Sequence, residues 1–399
     1  MDYDDIVALE DRFTVPTYKK FPFAIARGEG SRVFTTDGRV FLDLYGGHAV
    51  AATGHCHPKV AAAIAEQAKT LLFYSNLVPL EIRARAAEAV GAIAPEGLRK
   101  VFFVNSGAEA IENAFKLARK FTGKPRILSF EGSFHGRTPG ALSATGIAHY
   151  REGVSPFLPG HVILPWDDVA ALRRELASGD VAGAILEPIQ SLGGVRVASA
   201  AWLRALRDEL SRAGAMLIYD EIQTGFGRTG TAFYSGRHGV APDFVALAKG
   251  IASGVPMGAL LVREDLAAKL KTGDLGTTFG GGPLASAACV ATLRVFREER
   301  LFENVAANGR IWIDELKRVP GVAEVRGEGY IIGLVFPGGA KPVQQALLGA
   351  GFITGLSDDP RVLRLLPPLV LTRAESASFT TALPACVPAA AAAGSGVAR

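Results

Sequence analysis

Cysteine is scarce in this sequence, and neither sign of charge dominates. The three cysteines among 399 residues (Cys56, Cys289 and Cys386) are too few and too scattered for a disulfide framework, which predicts a reducing, cytoplasmic compartment. The 43 basic side chains exceed the 39 acidic ones by only four, a field too weak to indicate nucleic acid or an anionic membrane as the main partner. Apolar residues make up 49% of the chain, which is enough for a large core.

Long runs of large apolar side chains are also missing. The N-terminal residues 1–9 are acidic and lack the basic and apolar run of a signal peptide. Residues 376–398 carry no charge, but they contain Pro384, Pro388 and Gly394, and their apolar residues are mostly alanine. Alanine gains little on entering lipid, so this segment predicts a final helix with a low-complexity tail rather than a membrane span.

Several common catalytic and binding motifs are absent. The sequence has no Walker motif, no H-E-x-x-H and no G-x-S-x-G. The run His55-Cys56-His57 has no further ligands at zinc-finger spacing, so we interpret it as a structural loop and predict no metal site. Residues 225–230 match G-x-G-x-x-G, but they do not follow a strand directly and no helical periodicity follows them. They are therefore interpreted as an irregular loop.

Short β-type runs alternate with amphipathic helical stretches such as 200–212 through the middle of the chain. This pattern predicts an α/β fold with a mostly parallel central sheet flanked by helices. The predicted strands are 101–104, 126–130, 181–186, 216–219, 244–248 and 257–262.

The pattern changes after Pro283. Two helices, at 283–296 and 303–318, precede short strands near Glu324 and Tyr330, which predicts a smaller α+β domain. We expect three regions: an N-terminal segment (1–40) that packs on the small domain, a large domain (41–282), and a small C-terminal domain (283–399).

Polar side chains follow the predicted strands, where open parallel sheets bind ligands. They are Ser106, the residues 134–137, Glu187, the residues 220–223 and Lys249. Ser106-Gly107-Ala108-Glu109 stands where a strand turns into a helix; the pattern is typical of a capping box and equally of a helix start that binds phosphate.

Asp220 and Lys249 end two strongly apolar runs. Burial lowers the pKa of a lysine and frees a nucleophilic amine, and a buried carboxylate needs a cation. The two side chains could simply form a salt bridge with each other. Alternatively a cofactor lies between them, with the lysine in Schiff-base linkage at one edge of a ring and the aspartate at the ring nitrogen. Together with a phosphate seat at Gly107 and Ala108 and an aromatic ring at Phe134, this set suits pyridoxal 5′-phosphate.

The sequence resembles the class-III, fold-type-I pyridoxal-phosphate aminotransferases, in particular the acetylornithine and ornithine branch. The similarity spans about residues 10–372. It rests on an ordered series of motifs: R-G-E-G-S at 27–31, 43–47, G-H-C-H-P at 54–58, S-N-L at 75–77, N-S-G-A-E-A at 105–110, F-H-G-R-T at 134–138, E-P-I-Q at 187–190, D-E-I-Q-T-G-F-G-R-T-G at 220–230, L-A-K-G at 247–250, G-T-T-F-G-G at 276–281 and L-R-L-L-P-P-L at 363–369.

The resemblance implies a role for each matching site residue. Lys249 holds the cofactor, and Asp220 pairs with its ring nitrogen. The remaining cofactor-binding positions are Ser106, Gly107, Ala108, Phe134, His135, Glu187, Ile222 and Gln223, with Thr278 supplied by the partner subunit of a homodimer. Arg137, Thr277 and Arg364 bind substrate.

These roles imply transamination. Lys249 serves as the general base, Asp220 keeps the ring nitrogen protonated, and two arginines suit a dicarboxylate. We therefore predict amino transfer from N-acetylornithine or a related ω-amino acid to 2-oxoglutarate. An aminomutase of the glutamate-semialdehyde type, an aminotransferase with another donor, and a non-catalytic protein of the same fold are the alternatives.

Two positions depart from the branch pattern. Leu192 stands where the branch has a glutamate that neutralises the second arginine while an ω-amino substrate is bound. Leucine cannot pair with Arg364, so strict ω-amino specificity is not implied. Gly282 stands where asparagine is usual.

Overall fold

A computed structural model describes residues 1–388. The predicted low-complexity tail lies mostly outside this range; the last described elements are the helix Arg373–Ala382 and a 3₁₀ turn, Leu383–Cys386. No helix within 1–388 is both long and apolar enough to cross a membrane.

The strands are short and spread over the whole chain. They are β1 (Ile25–Glu29), β2 (Arg32–Thr35), β3 (Val40–Asp43), β4 (Lys100–Val104), β5 (Arg126–Phe130), β6 (His161–Leu164), β7 (Val181–Leu186), β8 (Ile189–Gln190), β9 (Arg196–Val197), β10 (Met216–Asp220), β11 (Phe244–Leu247), β12 (Gly258–Val262), β13 (Glu324–Glu328), β14 (Ile331–Val335), β15 (Phe352–Ile353), β16 (Gly355–Leu356) and β17 (Val362–Leu365).

The helices alternate with these strands. They are Tyr3–Phe13, Pro58–Thr70, Glu81–Ile93, Gly107–Thr122, Pro139–Ala144, Val169–Leu176, Ala200–Arg212, Glu264–Ala267, Pro283–Glu298, Leu301–Leu316, Ala340–Gly349 and Arg373–Ala382, with 3₁₀ turns at Ala148–Arg151, Arg237–Gly239 and Lys249–Ala252.

A seven-stranded sheet forms the centre of the molecule, in the order β4-β12-β11-β10-β7-β5-β6. Only β12 runs antiparallel to its neighbours, so six strands point the same way. The interior strand β7 is buried at every position, as expected for a sheet with helices on both faces. The helix Gly107–Thr122 covers one face with an apolar stripe that includes Ile111, Ala114, Phe115 and Ala118.

All six predicted strands are present, and the mostly parallel α/β fold is confirmed. The edge strand β6 was not predicted, because its apolar run, residues 162–164, is only three residues long and Pro165 follows it directly. Residues 225–230 open no helix, as predicted. His55 and His57 each contact a carboxylate, of Asp43 and Glu299 respectively, within ordinary loop structure.

Two smaller sheets join distant parts of the chain. Strands β1, β2 and β3 form a meander, and β15 pairs with β3 in parallel, so the N-terminal segment shares a sheet with the C-terminal region. Strands β13, β14, β17 and β16 form the other sheet, and β17 carries Arg364. The division into 1–40, 41–282 and 283–399 stays a prediction; its first boundary falls at the start of β3.

Candidate active site

The polar residues singled out in the sequence lie at one edge of the central sheet, where the parallel strands end. Asp220 is the last residue of β10, Glu187 directly follows β7, and Lys249 stands two residues beyond β11. Tyr219 is paired with Leu186 and Asp220 with Ala246 across neighbouring strands. The register of the sheet therefore brings these three ionisable side chains to the same place.

Hydrogen bonds fix the loops that follow β5, β7 and β10. His135 Nδ1 lies 2.8 Å from Asp220 Oδ2, and the backbone N–H of Ile222 donates to Asp220 Oδ1 at 3.1 Å. The backbone N–H of Phe134 donates to Glu187 Oε1 at 2.8 Å. Asp220 and His135 are almost completely buried, so the carboxylate is held in one orientation.

Lys249 is half-buried beside these carboxyl groups without touching Asp220. Within the described chain no ion pair shorter than 4.0 Å joins them, so the simple salt-bridge interpretation of the two residues is wrong. Burial lowers the pKa of Lys249 to about 8, against an opposing effect of Asp220 and Glu187. Its backbone is left-handed (φ 47°), a conformation that costs free energy in a non-glycine residue and is common at functional sites.

Glu187 is perturbed in the opposite direction. Burial and the neighbouring Asp220 raise its pKa to about 8, while the Phe134 N–H and Lys249 oppose the rise. At physiological pH the Glu187 carboxyl is therefore mostly protonated and uncharged. Two carboxyls and one amine consequently share a poorly hydrated space, an arrangement more typical of active sites than of structural ion pairs.

The start of the helix Gly107–Thr122 closes another side of the site. Ser106 Oγ accepts the N–H of Glu109 at 3.2 Å, so Ser106 caps the helix as predicted. The Glu109 carboxylate accepts the N–H of Asn105 at 2.8 Å instead of that of Ser106, so only half of the predicted capping box is present. The cap leaves the first N–H groups of the helix available for an anion. A Cβ at Gly107 would lie 2.6 Å from Ile222 Cδ1, so Ile222 approaches the helix start closely only because residue 107 is glycine.

Tyr150 contacts one of the two arginines that the sequence assigned to substrate. The Arg137 guanidinium lies 4.3 Å from the centroid of the Tyr150 ring, which packs edge-on against Phe134 at 5.0 Å. Burial raises the pKa of Tyr150, and the charges of Arg137 and Arg364 oppose that rise. Arg137 is exposed, whereas Arg364 is buried.

Thr277 and Thr278 lie elsewhere. The Thr277 carbonyl accepts a hydrogen bond from Asn76 Nδ2 at 3.1 Å, and Thr278 is exposed in the same loop. Both line a surface pocket of about 500 Å³ with residues 75–77. Within one chain, therefore, the two threonines do not join Lys249 and Asp220.

Sequence reasoning missed Tyr150 and three residues around Arg364. Arg364 Nη2 donates to Tyr45 Oη at 2.7 Å, and Nη1 donates to Ser191 Oγ at 3.2 Å. His48 Nδ1 lies 3.0 Å from Tyr45 Oη. Tyr45 lies within the matched stretch 43–47, but no local pattern indicates that it contacts a residue 319 positions away.

The residues present fit pyridoxal phosphate. Gln223 Oε1 and His135 Nε2 are buried polar atoms without a hydrogen-bond partner in the described chain, so each is free to meet a group that the chain does not supply. The helix start at Gly107 suits a phosphate, Lys249 supplies an amine, and Asp220 supplies a fixed carboxylate. Within residues 1–388 no group of three or more His, Cys, Asp or Glu side chains could hold a metal ion.

Comparisons with known proteins agree with this site. Residues 14–387 match the family model of class-III aminotransferases. The chain is 44% identical over 331 residues to the acetylornithine aminotransferase of Methanopyrus kandleri, covering 83% of this chain and 85% of that protein. It is 41% identical over 379 residues to the acetylornithine aminotransferase of Methanosarcina acetivorans, covering 93% of each.

A solved structure extends the likeness to the fold. The ornithine aminotransferase of Toxoplasma gondii, in which pyridoxal phosphate partly occupies the active site, superposes with a TM-score of 0.90 at 31% identity, covering 96% of this chain and 94% of that one. The predicted fold class, the predicted cofactor and the predicted transamination are confirmed. The chain belongs to the class-III, pyridoxal-phosphate-dependent aminotransferases.

Proposed function

We propose that this protein transfers an amino group from N-acetylornithine or a related ω-amino acid to 2-oxoglutarate, giving a semialdehyde and glutamate. The observation that carries the proposal is a pair of guanidinium groups, Arg137 and Arg364. Arg137 lies 4.3 Å from the centroid of the Tyr150 ring, and Arg364 is buried against Tyr45 and Ser191. Two guanidinium groups suit a dicarboxylate because each can bind one carboxylate through two parallel N–H bonds. The names of the relatives support an ω-amino donor.

The roles proposed for individual residues follow from their surroundings. When bound, pyridoxal phosphate supplies an electron sink for the carbanion that forms at the substrate carbon. Asp220, held by His135, keeps a proton on the ring nitrogen, and Gln223 meets the ring hydroxyl. As the family resemblance implies, Phe134 and Ile222 would pack against the cofactor ring, Ser106, Gly107 and Ala108 would bind its phosphate, and Glu187 would lie close to the ring.

Lys249 moves the proton. Its amine would hold the cofactor and, when free, would take a proton at Nζ from the substrate carbon. A pKa near 8 instead of 10.5 leaves a useful fraction of the amine unprotonated at neutral pH. Arg137 and Arg364 orient the substrate so that the bond to be broken faces this amine.

The test is a panel of amino donors assayed against 2-oxoglutarate. We expect turnover with N-acetylornithine and other ω-amino acids, and no turnover when 2-oxoglutarate is omitted. Turnover that needs no added keto acid would indicate an intramolecular aminomutase instead. A purified protein without the absorption band of the bound cofactor would indicate a non-catalytic relative.

We further propose a homodimer in which Thr278 binds the cofactor phosphate of the partner subunit and Thr277 contacts substrate. An exposed apolar surface next to these threonines supports it: Leu77 is 91% and Phe279 63% exposed, and the Phe73 and Phe279 rings lie 5.1 Å apart. Monomeric proteins rarely expose such an apolar surface, so we propose that a second copy of the chain buries it.

Mixing two inactive variants tests the shared site. A dimer of one Lys249→Ala and one Thr278→Ala subunit would contain one site with both residues intact. Co-expression should therefore restore part of the activity that each homodimer lacks. If mixed dimers stay inactive while light scattering still reports a dimer, Thr278 does not act across the interface.

A cytoplasmic location remains part of the proposal. Cys56, Cys289 and Cys386 form no disulfide with one another, which suits a reducing compartment. Cell fractionation is the direct measurement.

A further inference from the structure

Arg364 is a buried cation whose hydrogen-bond partners are all neutral. Its Nε donates to the Leu356 carbonyl at 2.7 Å, Nη1 to Ser191 Oγ at 3.2 Å and Nη2 to Tyr45 Oη at 2.7 Å. Only 3% of its surface is exposed, and no carboxylate lies within 4.0 Å of it in the described chain. A guanidinium in this position needs acceptors for its N–H groups whenever water is excluded.

Tyr45 is held firmly against Arg364. Its ring lies so close to Gly355 that a Cβ there would come within 2.0 Å of Tyr45 Cε2, so residue 355 must be glycine for the ring to fit. On the other side the Arg364 Cζ lies 5.4 Å from the ring centroid. The Tyr45 backbone N–H donates to Asp43 Oδ1 at 2.9 Å.

A strained turn brings His48 to the Tyr45 hydroxyl. The backbone from Gly46 to Ala49 is left-handed at four successive residues, with φ between 56° and 66°, and two of them, His48 and Ala49, are not glycine. Such a turn costs free energy and persists only where the surrounding structure enforces it. Because Tyr45 Oη accepts the Arg364 N–H, its own proton is free for His48 Nδ1 at 3.0 Å.

The number of N–H groups on Arg364 leaves room for substrate. A guanidinium has five N–H donors, and the three contacts above use one on each nitrogen. One donor remains on each terminal nitrogen, which is what a carboxylate needs for two parallel hydrogen bonds. A 2-oxoglutarate carboxylate can thus bind while Tyr45 and Ser191 stay in place.

We propose that Tyr45, oriented by His48, is a specificity-determining residue. It keeps Arg364 hydrogen-bonded in the half-reaction whose substrate carries no carboxylate at the reacting carbon. The inference rests on the proposed function, since it concerns the ω-amino donor. With that donor bound, water is excluded, and among the described residues Tyr45 is the only hydrogen-bond partner of Arg364 Nη2. With 2-oxoglutarate bound, the substrate carboxylate also meets Nη2, so the tyrosine hydroxyl matters less.

Tyr45→Phe separates the two half-reactions. In the cofactor-loaded protein, each half-reaction is followed alone by the cofactor absorbance, with N-acetylornithine as donor and 2-oxoglutarate as acceptor. We expect the second-order rate constant for the donor to fall roughly tenfold, as for loss of one hydrogen bond to a charged group. The constant for 2-oxoglutarate should change less than about threefold on the same reasoning. The dissociation constant of glutarate, a dicarboxylate without an amine, should also stay unchanged.

Two further variants control the experiment. His48→Asn removes the imidazole while allowing the left-handed backbone, and it should lower the donor rate in the same direction by a smaller factor. It also tests the inference if Tyr45→Phe does not fold. Tyr3→Phe, which removes a hydroxyl near the surface, should change neither half-reaction.

The outcomes distinguish this inference from the proposed function. An equal loss in both half-reactions, or a loss confined to 2-oxoglutarate, overturns the role of Tyr45 and leaves the proposed function intact. If the unmodified protein reacts with glutamate but not with N-acetylornithine or other ω-amino acids, the proposed donor class is wrong and the role of Tyr45 falls with it.

Discussion

Lys249 and Arg364 are the half-buried and the fully buried cation of the proposed site, and the protein compensates them differently. Lys249 faces two carboxyl groups, Asp220 and Glu187, and its pKa falls to about 8. Arg364 has hydroxyl and carbonyl partners only, and burial lowers its pKa without a nearby ion pair. The lysine can therefore gain and lose a proton near neutral pH, whereas the arginine keeps its charge for a substrate carboxylate. One end of the site is suited to chemistry and the other to recognition.

The largest expected effect comes from removing the amine of Lys249. Lys249→Ala removes the amine that holds the cofactor and moves the proton, and we expect kcat to fall by at least about 10³-fold. Lys269→Ala is the matched control, since that lysine is exposed and distant in the fold. Steady-state assays measure both variants. Near-normal turnover in Lys249→Ala would contradict the assignment of the lysine.

Replacing the carboxylate next to it should cost less. Asp220→Asn keeps the shape and can retain the His135 contact, but it removes the charge that faces the ring nitrogen, so we expect kcat to fall roughly 10²- to 10³-fold. Asp208→Asn, on an exposed helix surface, is the control. An Asp220→Asn variant with unchanged kcat and unchanged cofactor spectrum would show that the carboxylate does not act on the cofactor ring.

At the arginine end the expected change is in donor preference rather than in rate. Leu192 is half-buried and follows Ser191, which contacts Arg364. A glutamate there would neutralise the arginine while an ω-amino donor is bound, so Leu192→Glu should raise the preference for ω-amino over α-amino donors about tenfold. Leu192→Gln has the same length without the charge. An equal shift in both variants would mean that charge is not the cause.

The smallest expected effect concerns the pH dependence of stability, and it tests the protonation of Glu187 beside Lys249. The Glu187 carboxyl has an ordinary pKa of 4.5 and a pKa of about 8 in the folded protein. Between these values the folded chain retains a proton that the unfolded chain has lost, so this group makes stability fall as the pH rises from about 4.5 to 8. In cofactor-free protein, the melting temperature of Glu187→Gln minus that of the unmodified protein should therefore increase as the pH rises from about 4.5 to 8. A difference independent of pH would contradict the assigned pKa.

The sequence predicted one end of the site better than the other. Asp220, Glu187 and Lys249 each follow an apolar strand, and parallel strands bring their carboxyl ends together, so local patterns were enough. Arg364 was found only through the family resemblance. Its partners Tyr45 and Ser191 are 319 and 173 residues away and carry no local signal. Strand β6 was missed because its apolar run of three residues is too short to indicate a strand by itself.

The sequence alone determined the parallel sheet, the order of its polar loops and the residue types needed for pyridoxal-phosphate chemistry. These features depend on periodicity, which is a local property of the chain. Only the tertiary structure decided that Asp220 pairs with His135 rather than Lys249, and that Arg364 is satisfied by neutral groups. Those choices depend on which side chains meet after distant segments pack, as when Gly355 leaves room for the Tyr45 ring. Contacts of this kind arise from shape and burial, and no stretch of neighbouring residues encodes them.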